Sequence, residues 1–205
     1  GRISKVSISN RSEASVASAD HGWLELLCEG LTFDLKGVSR PFAVHPADFD
    51  QRVGLPNSTG EGIYEALILA PGPHLSGGQS QLPIFRAQMA LGATIGGSIP
   101  DVVAVGWLES RTLVGATHFA KLVDQWLGGG ALPVPGLISL RKVVDGGTQS
   151  IGLSFFTGQE LRIEPEQSID TDHTERLAVR LIAQLFLTGT VTTVEQIMGP
   201  DGNRL

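Results

Sequence analysis

The chain has 205 residues, 41% of them hydrophobic and 18% charged, so it can bury a core without disulfides or a structural metal. Fifteen basic and 21 acidic residues give a formal net charge of −6, which argues against nucleic acid as a partner. The 26 glycines and 11 prolines predict many sharp turns and short elements rather than a helical bundle. The longest apolar runs, such as Val102–Val105, fall far short of the ~20 residues of a membrane helix, so no membrane association is expected.

The cysteine content and the first residues of the chain indicate in which cellular compartment the protein is expected. Cys28 is the single cysteine, so it forms no internal disulfide, and its apolar neighbours favour a buried, inert thiol over a nucleophile. Residues Gly1–Lys5 lack the apolar core that is typical of a signal peptide. We therefore expect a soluble, cytoplasmic protein.

The N-terminal quarter predicts strands joined by turns. Residues 1–20 show no clear periodicity and are expected to form a loose arm with a short strand at Lys5–Ser9, ahead of a single domain at 21–205. Leu31–Lys36 alternates apolar and polar residues, which predicts a half-buried strand. Gly30 is expected to interrupt the join between this strand and the apolar stretch before it. Pro46–Asp50 is consistent with one helical turn.

The middle of the chain predicts two strand–helix pairs. The strands are Ile63–Ala70 and Asp101–Trp107, and the helices are Gln81–Leu91 and Ala116–Leu127. The first helix is expected to end at Gly92, while the second carries apolar residues at helical spacing. If both strands share one sheet, they should form a right-handed parallel crossover.

The second half predicts a strand meander. Leu137–Val144 and Ser150–Phe156 flank the turn Asp145-Gly146-Gly147, and the Asp-Gly pair is typical of a hairpin because it tolerates positive φ angles. A third short strand is predicted at Gln159–Glu164, where apolar and charged residues alternate.

The order of elements indicates the fold class. A helix capped by Asp170, Thr171 or Asp172 is predicted to run to about Leu187, and a short element follows at Val191–Met198. The whole pattern predicts an α+β domain with a single mixed, mostly antiparallel sheet and helices packed mainly on one face.

Several phrases carry a resemblance to a known group. They are Pro71–His74, Val105–Trp107, Trp126–Pro133 and Gly152–Leu161, in this order. Over about Trp23–Asn203 the chain is similar to a DUF4261-like group of proteobacterial domains of unknown function, and the turn Thr157–Leu161 is its most specific part. The resemblance implies a cytosolic bacterial protein. It brings no activity, cofactor or catalytic residue.

The best candidate for a ligand site is the loop between a predicted strand and a predicted helix, at residues 72–80. Helix N-termini attract anions, His74 and Ser76 offer polar contacts, and Gly77 and Gly78 allow a ligand to approach the backbone. The loop lacks the Gly-Lys-Ser/Thr ending of a phosphate-binding P-loop. The more economical interpretation is a tight turn in which His74 caps backbone carbonyls.

Other chemistry has weaker support. Glu160 shares a strand face with Arg162 and is a further candidate for ligand contact or acid–base work, although a salt-bridged surface explains the pair more simply. Gly152-Leu153-Ser154 lacks the closing glycine of a nucleophile elbow. The five histidines are scattered, so neither a metal site nor a cofactor is predicted, and no catalytic residue is assigned.

Two functions from different classes remain. The favoured one is a non-catalytic interaction or regulatory domain, a homodimer or the binder of another protein, because catalytic motifs are missing and Trp126 precedes a Gly-Gly-Gly-Ala-Leu-Pro turn that can expose an apolar edge. The alternative is a small-ligand or anion-binding protein, or an enzyme, that uses the 72–80 loop.

Overall fold

The structure, a computed structural model, describes residues 6–11, 21–56, 59–60, 62–165 and 171–193. Residues 6–11 and 171–172 are described by their backbone alone. The chain divides into two compact units, Gly1–Ser139 and Leu140–Leu205. The predicted arm outside 6–11, the capping side chains of the last helix and most of Val191–Met198 lie outside the described residues.

The described part of the first unit combines short strands with two long helices. Its strands are Val6–Arg11 (β1), Trp23–Cys28 (β2), Leu31–Lys36 (β3), Phe42–Val44 (β4), Gln51–Val53 (β5), Tyr64–Ala66 (β6), Ile68–Pro71 (β7), Ala104–Trp107 (β8) and Thr112–Gly115 (β9). Its helices are Leu82–Ser98 (α1), Ala116–Leu127 (α2) and the single turn Val134–Leu137 (α3), with 3₁₀ turns at Pro46–Asp48 and Pro73–Gly78.

The second unit contains the predicted hairpin and the last helix. Its elements are Ser139–Lys142 (β10), which begins at the last residue of the first unit, Thr148–Ile151 (β11), Ser154–Thr157 (α4), Arg162–Ile163 (β12) and Thr171–Thr188 (α5). The hairpin and α5 confirm the prediction. Residues 152–156 were predicted as strand, but residues 152–153 form a turn and residues 154–156 belong to α4. The third predicted strand shrinks to the two residues of β12.

The α+β class is confirmed, but the prediction of a single sheet with helices on one face is wrong. The described strands form four small sheets, ordered β1-β2-β3-β7, β5-β9-β8, β4-β6 and β10-β11-β12. The apolar run Ile63–Ala70 breaks at Leu67, and its two halves pair with different partners, β6 with β4 and β7 with β3. Since β8 pairs with β9, it shares no sheet with β6 or β7, and the predicted crossover does not form.

One hydrophobic core of the first unit lies between the four-stranded sheet and α1. Leu26, Cys28, Phe33 and Leu35 point inward from β2 and β3, as their alternation predicts, and Leu91 of α1 packs against them. Cys28 is fully buried, and this burial, followed by the charge of Glu29, raises the pKa of its thiol. The interpretation of an inert thiol is therefore consistent with its surroundings.

The two long helices differ in how well the sequence predicted them. α2 spans the predicted range, and Phe119, Val123 and Trp126 of its apolar stripe are buried. α1 instead continues past Gly92 to Ser98. A Cβ at Gly92 would lie 3.7 Å from the Phe119 ring, so this glycine faces a packed neighbour rather than a helix end. No helix in the described ranges has the length and hydropathy required to cross a membrane.

Candidate functional site

The 72–80 loop is a tight turn fastened to β3. The backbone N–H of Gly72 donates to the Thr32 carbonyl at 2.9 Å, and the Nε2 atom of His74 lies 3.1 Å from the Thr32 hydroxyl. His74, Ser76 and Gly77 are exposed on the 3₁₀ turn, with Gly78 half-buried at its end. α1 begins at residue 82, so these candidates precede the helix instead of forming its first turn.

Glu160 is surrounded by hydrogen-bond donors. Its carboxylate accepts hydrogen bonds from the hydroxyls of Ser150 at 2.5 Å and Ser154 at 2.7 Å. It also accepts from the backbone N–H groups of Gly152 at 2.9 Å, Ser154 at 3.2 Å and Leu153 at 3.3 Å. The carboxylate therefore holds the start of α4 against the end of β11.

The protonation equilibrium of Glu160 follows from this arrangement. Partial burial opposes the charged form and acts to raise the pKa, but the hydrogen bonds from Ser150, Ser154 and the backbone outweigh it, so the pKa of Glu160 is lowered from its usual value. A carboxylate with a lowered pKa is a weak general base. The Ser154 hydroxyl donates a hydrogen bond to this weak base, so the pair lacks the activation that a nucleophilic serine needs.

Other polar groups of the Thr157–Leu161 turn form hydrogen bonds with the segment that follows α5. The Gln159 carboxamide donates to the Val191 carbonyl at 2.9 Å and accepts from the Val191 N–H at 3.0 Å. The Thr190 hydroxyl donates to the Thr157 carbonyl. Gly158 closes α4 in the left-handed region at φ 74°. The turn that carries the resemblance thus fastens the segment after α5.

Four of the five predicted site residues lie on the same turn, and the fifth belongs to the other unit of the chain. His74, Ser76, Gly77 and Gly78 share one 3₁₀ turn in the first unit, whereas Glu160 belongs to the second unit. No group of three or more His, Cys, Asp or Glu side chains that could hold a metal ion occurs within the described ranges.

The hairpin of the second unit carries a salt-bridged surface, but its ion pairs do not include Glu160, so the simpler interpretation of the sequence holds for Arg162 and not for Glu160. Arg162 forms ion pairs with Asp145 and with Glu164, the latter at 2.8 Å. A backbone hydrogen bond from Gly147 lowers the pKa of Asp145, and Arg162 lowers it further. All three charged side chains are well exposed, so they form a surface network rather than a reactive cluster.

A groove of about 450 Å³ lies where the sequence indicated an apolar edge. It is lined by Leu122 and Gln125 of α2, residues 130–133 and Pro135, and we call it the α2 groove. None of these lining residues carries a charge. Its signal in the sequence is the glycine-rich turn that follows Trp126.

The walls of the α2 groove are held in place by specific contacts. Gly129 adopts φ 97°, and a Cβ at Gly130 would lie 2.7 Å from the Gln125 carbonyl, so the turn depends on both glycines. The Arg86 guanidinium lies 5.0 Å from the Trp126 ring centroid and donates to the last carbonyl of α2 at 3.4 Å. These contacts between the chain's own residues fix the walls of the groove.

Comparisons with known proteins give no relative. No family model matches the chain, and neither the curated proteins nor the solved structures contain a significant match. The resemblance drawn from the sequence phrases stays a prediction.

Proposed function

We propose that the chain is a non-catalytic interaction domain that binds a protein partner through the α2 groove. The observation that carries this proposal is the groove itself, which is open, apolar, uncharged and preformed. A preformed surface loses little conformational entropy on binding, which favours association. A cytoplasmic location belongs to the same proposal and is supported by the single, buried cysteine.

The polar residues support the same assignment. Glu160, the most densely hydrogen-bonded carboxylate among the described residues, is used to hold its own unit together. Its lowered pKa is opposite to the raised value that general acid–base catalysis at neutral pH requires of a carboxylate. An interaction domain needs no such group.

Site-specific photo-crosslinking tests the proposal. A photoreactive amino acid at Ala131, which is exposed and lines the groove, should give a discrete protein adduct in cells. The same probe at Ala47, which is exposed elsewhere in the first unit, serves as the matched control. The adduct should weaken when Pro135 is also replaced by aspartate, because a charge would then enter the apolar lining. Absence of any adduct specific to position 131 would overturn the proposal.

A second function is favoured by one observation at His74. Its ring is exposed and contacts a side chain of β3, so it is not buried and satisfied by backbone alone. A small anion contacted by His74 and Ser76 is the alternative ligand. A thermal-shift screen with phosphates, nucleotides and carboxylates tests it, since a ligand at 100 times its Kd adds about 2.7 kcal/mol to the free energy of unfolding. Stabilisation that persists in His74→Ala would refute this alternative.

A further inference from the structure

The solvent-exposed side of α2 borders the α2 groove and carries two opposite charges. Lys121, Asp124, Gln125 and Gly128 are exposed and follow the i, i+3, i+4, i+7 spacing of one helix face. Gln125 belongs to both surfaces, so the charged face continues directly into the groove. A partner that binds here can contact the charged face of α2 and the α2 groove at the same time.

We infer that the occupant of this surface is a second copy of the chain, with the two α2 helices antiparallel about a two-fold axis; this rests on the proposed function. In a two-fold contact, residue i of one protomer meets residue j of the other, and j meets i. An axis midway between Lys121 and Asp124 places each lysine opposite the aspartate of the other protomer. The face is therefore self-complementary.

The local charge of the α2 face permits a self-contact despite the net charge of the chain. The chain carries a net charge of −6, so two copies repel each other over most orientations. The exposed face of α2 contributes one positive and one negative side chain and is neutral, and the groove lining adds no charge. Residues 117 and 128, which the same axis brings together, are threonine and glycine, so small side chains allow close approach of the helix ends.

The surface that the two copies would share follows the length of α2. The twelve residues of α2 extend over about 18 Å, at ~1.5 Å per residue, and the groove widens this strip toward residues 130–135. The charge pairs flank the two-fold axis and fix the orientation, and the apolar groove beside them adds buried surface.

Charge reversal tests the geometry directly. We expect sedimentation equilibrium of the wild-type chain to show a monomer–dimer equilibrium. Lys121→Glu and Asp124→Lys should each raise the dimer Kd roughly ten-fold or more, because every charge pair occurs twice in a two-fold interface. The doubly reversed variant should return to within about three-fold of the wild-type Kd. An equimolar mixture of the two single variants should form a heterodimer more tightly than either variant forms a homodimer.

Controls separate this inference from the proposed function. Lys36→Glu and Asp101→Lys, reversals at exposed positions elsewhere in the first unit, should leave the Kd unchanged. A monomer at every concentration, or a dimer whose Kd is unchanged by the charge reversals on α2, would overturn the inference. The Ala131 crosslink then shows which claim has failed. An adduct with a protein of another mass refutes the dimer but supports an interaction domain with a different partner. Absence of any adduct refutes both the dimer and the interaction domain. An adduct of twice the mass of one chain supports both.

Discussion

Replacing Glu160 with alanine should destabilise the second unit, because the carboxylate is the shared acceptor of five hydrogen bonds. Ser154 is exposed, so its N–H and hydroxyl can bond to water instead. Ser150, Gly152 and Leu153 are buried and lose their acceptor. A buried donor left without a partner costs about 1–3 kcal/mol, and the half-buried position of Glu160 lets some water enter. The lower end of that range for three donors gives a loss of about 3 kcal/mol in the free energy of unfolding.

Two further variants make the test specific. Glu160→Gln keeps one carbonyl oxygen as acceptor but removes the charge, so we expect an intermediate loss of about 1–2 kcal/mol. Glu164→Ala is the matched control, because Glu164 is an exposed carboxylate whose described contact is the surface ion pair with Arg162. Its effect should stay within about 0.5 kcal/mol.

The assay must report on the second unit alone. All three tryptophans, Trp23, Trp107 and Trp126, lie in the first unit, so tryptophan fluorescence follows that unit. Amide hydrogen exchange at Gly152 and Leu153 reports directly on the donors that Glu160 holds. Faster exchange there in Glu160→Ala, with slow exchange retained in Glu164→Ala, is the expected result. Unchanged exchange in Glu160→Ala would refute the structural role and return Glu160 to the list of ligand candidates.

Acid should have the same effect as the substitution. The pKa of Glu160 is lowered in the folded state, so its stabilising contribution is complete above the unfolded-state pKa and is lost as the pH falls through the folded-state pKa. Partial exposure reduces the size of the contribution but not its sign. We expect exchange at Gly152 to gain an acid-dependent component in the wild type that Glu160→Gln lacks, after correction for the intrinsic pH dependence of exchange. The same component in both proteins would contradict the assignment.

Three other substitutions test the packing of the first unit and the contact that holds the segment after α5. A Cβ at Gly115 would lie 2.0 Å from the Gly54 carbonyl oxygen, so Gly115→Ala should lower the free energy of unfolding by about 3 kcal/mol, measured by tryptophan fluorescence in urea. Gly92→Ala in the middle of α1 has room for the methyl group and should raise the same quantity by about 0.5–1 kcal/mol; a loss there as large as at Gly115 would show that the spacing argument fails. Gln159→Leu should speed amide exchange at Val191, because the N–H loses its acceptor, and protection equal to the wild type would count against the contact.

Local sequence patterns predicted those elements that local interactions determine. The alternation in Leu31–Lys36, the stripe of α2 and the Asp-Gly turn at residues 145–146 each specify backbone geometry within a few residues, and the structure has a strand, a helix and a hairpin there. The apolar edge after Trp126 was predictable for the same reason, since three consecutive glycines end a helix abruptly.

The elements that were predicted wrongly depend on distant partners. The sequence around Gly92 predicts the end of a helix, but in the fold Gly92 lies inside α1 and faces the Phe119 ring. The run Ile63–Ala70 has the pattern of one strand, yet its halves pair with β4 and β3, which lie far away in the sequence. Sheet assignment therefore required long-range pairing that no local pattern contains.

The same limit applies to Glu160, and it bears on function. Its donors come from six to ten residues earlier, and they converge because Gly152, at φ 96°, turns the chain at the end of β11. The sequence placed Glu160 beside Arg162 as a candidate for ligand contact or acid–base work, whereas the geometry shows a carboxylate stabilised in its ionised form by hydroxyl and backbone donors. Glu160 is thereby committed to the second unit's own structure, and the proposed interaction rests instead on the uncharged α2 groove of the first unit.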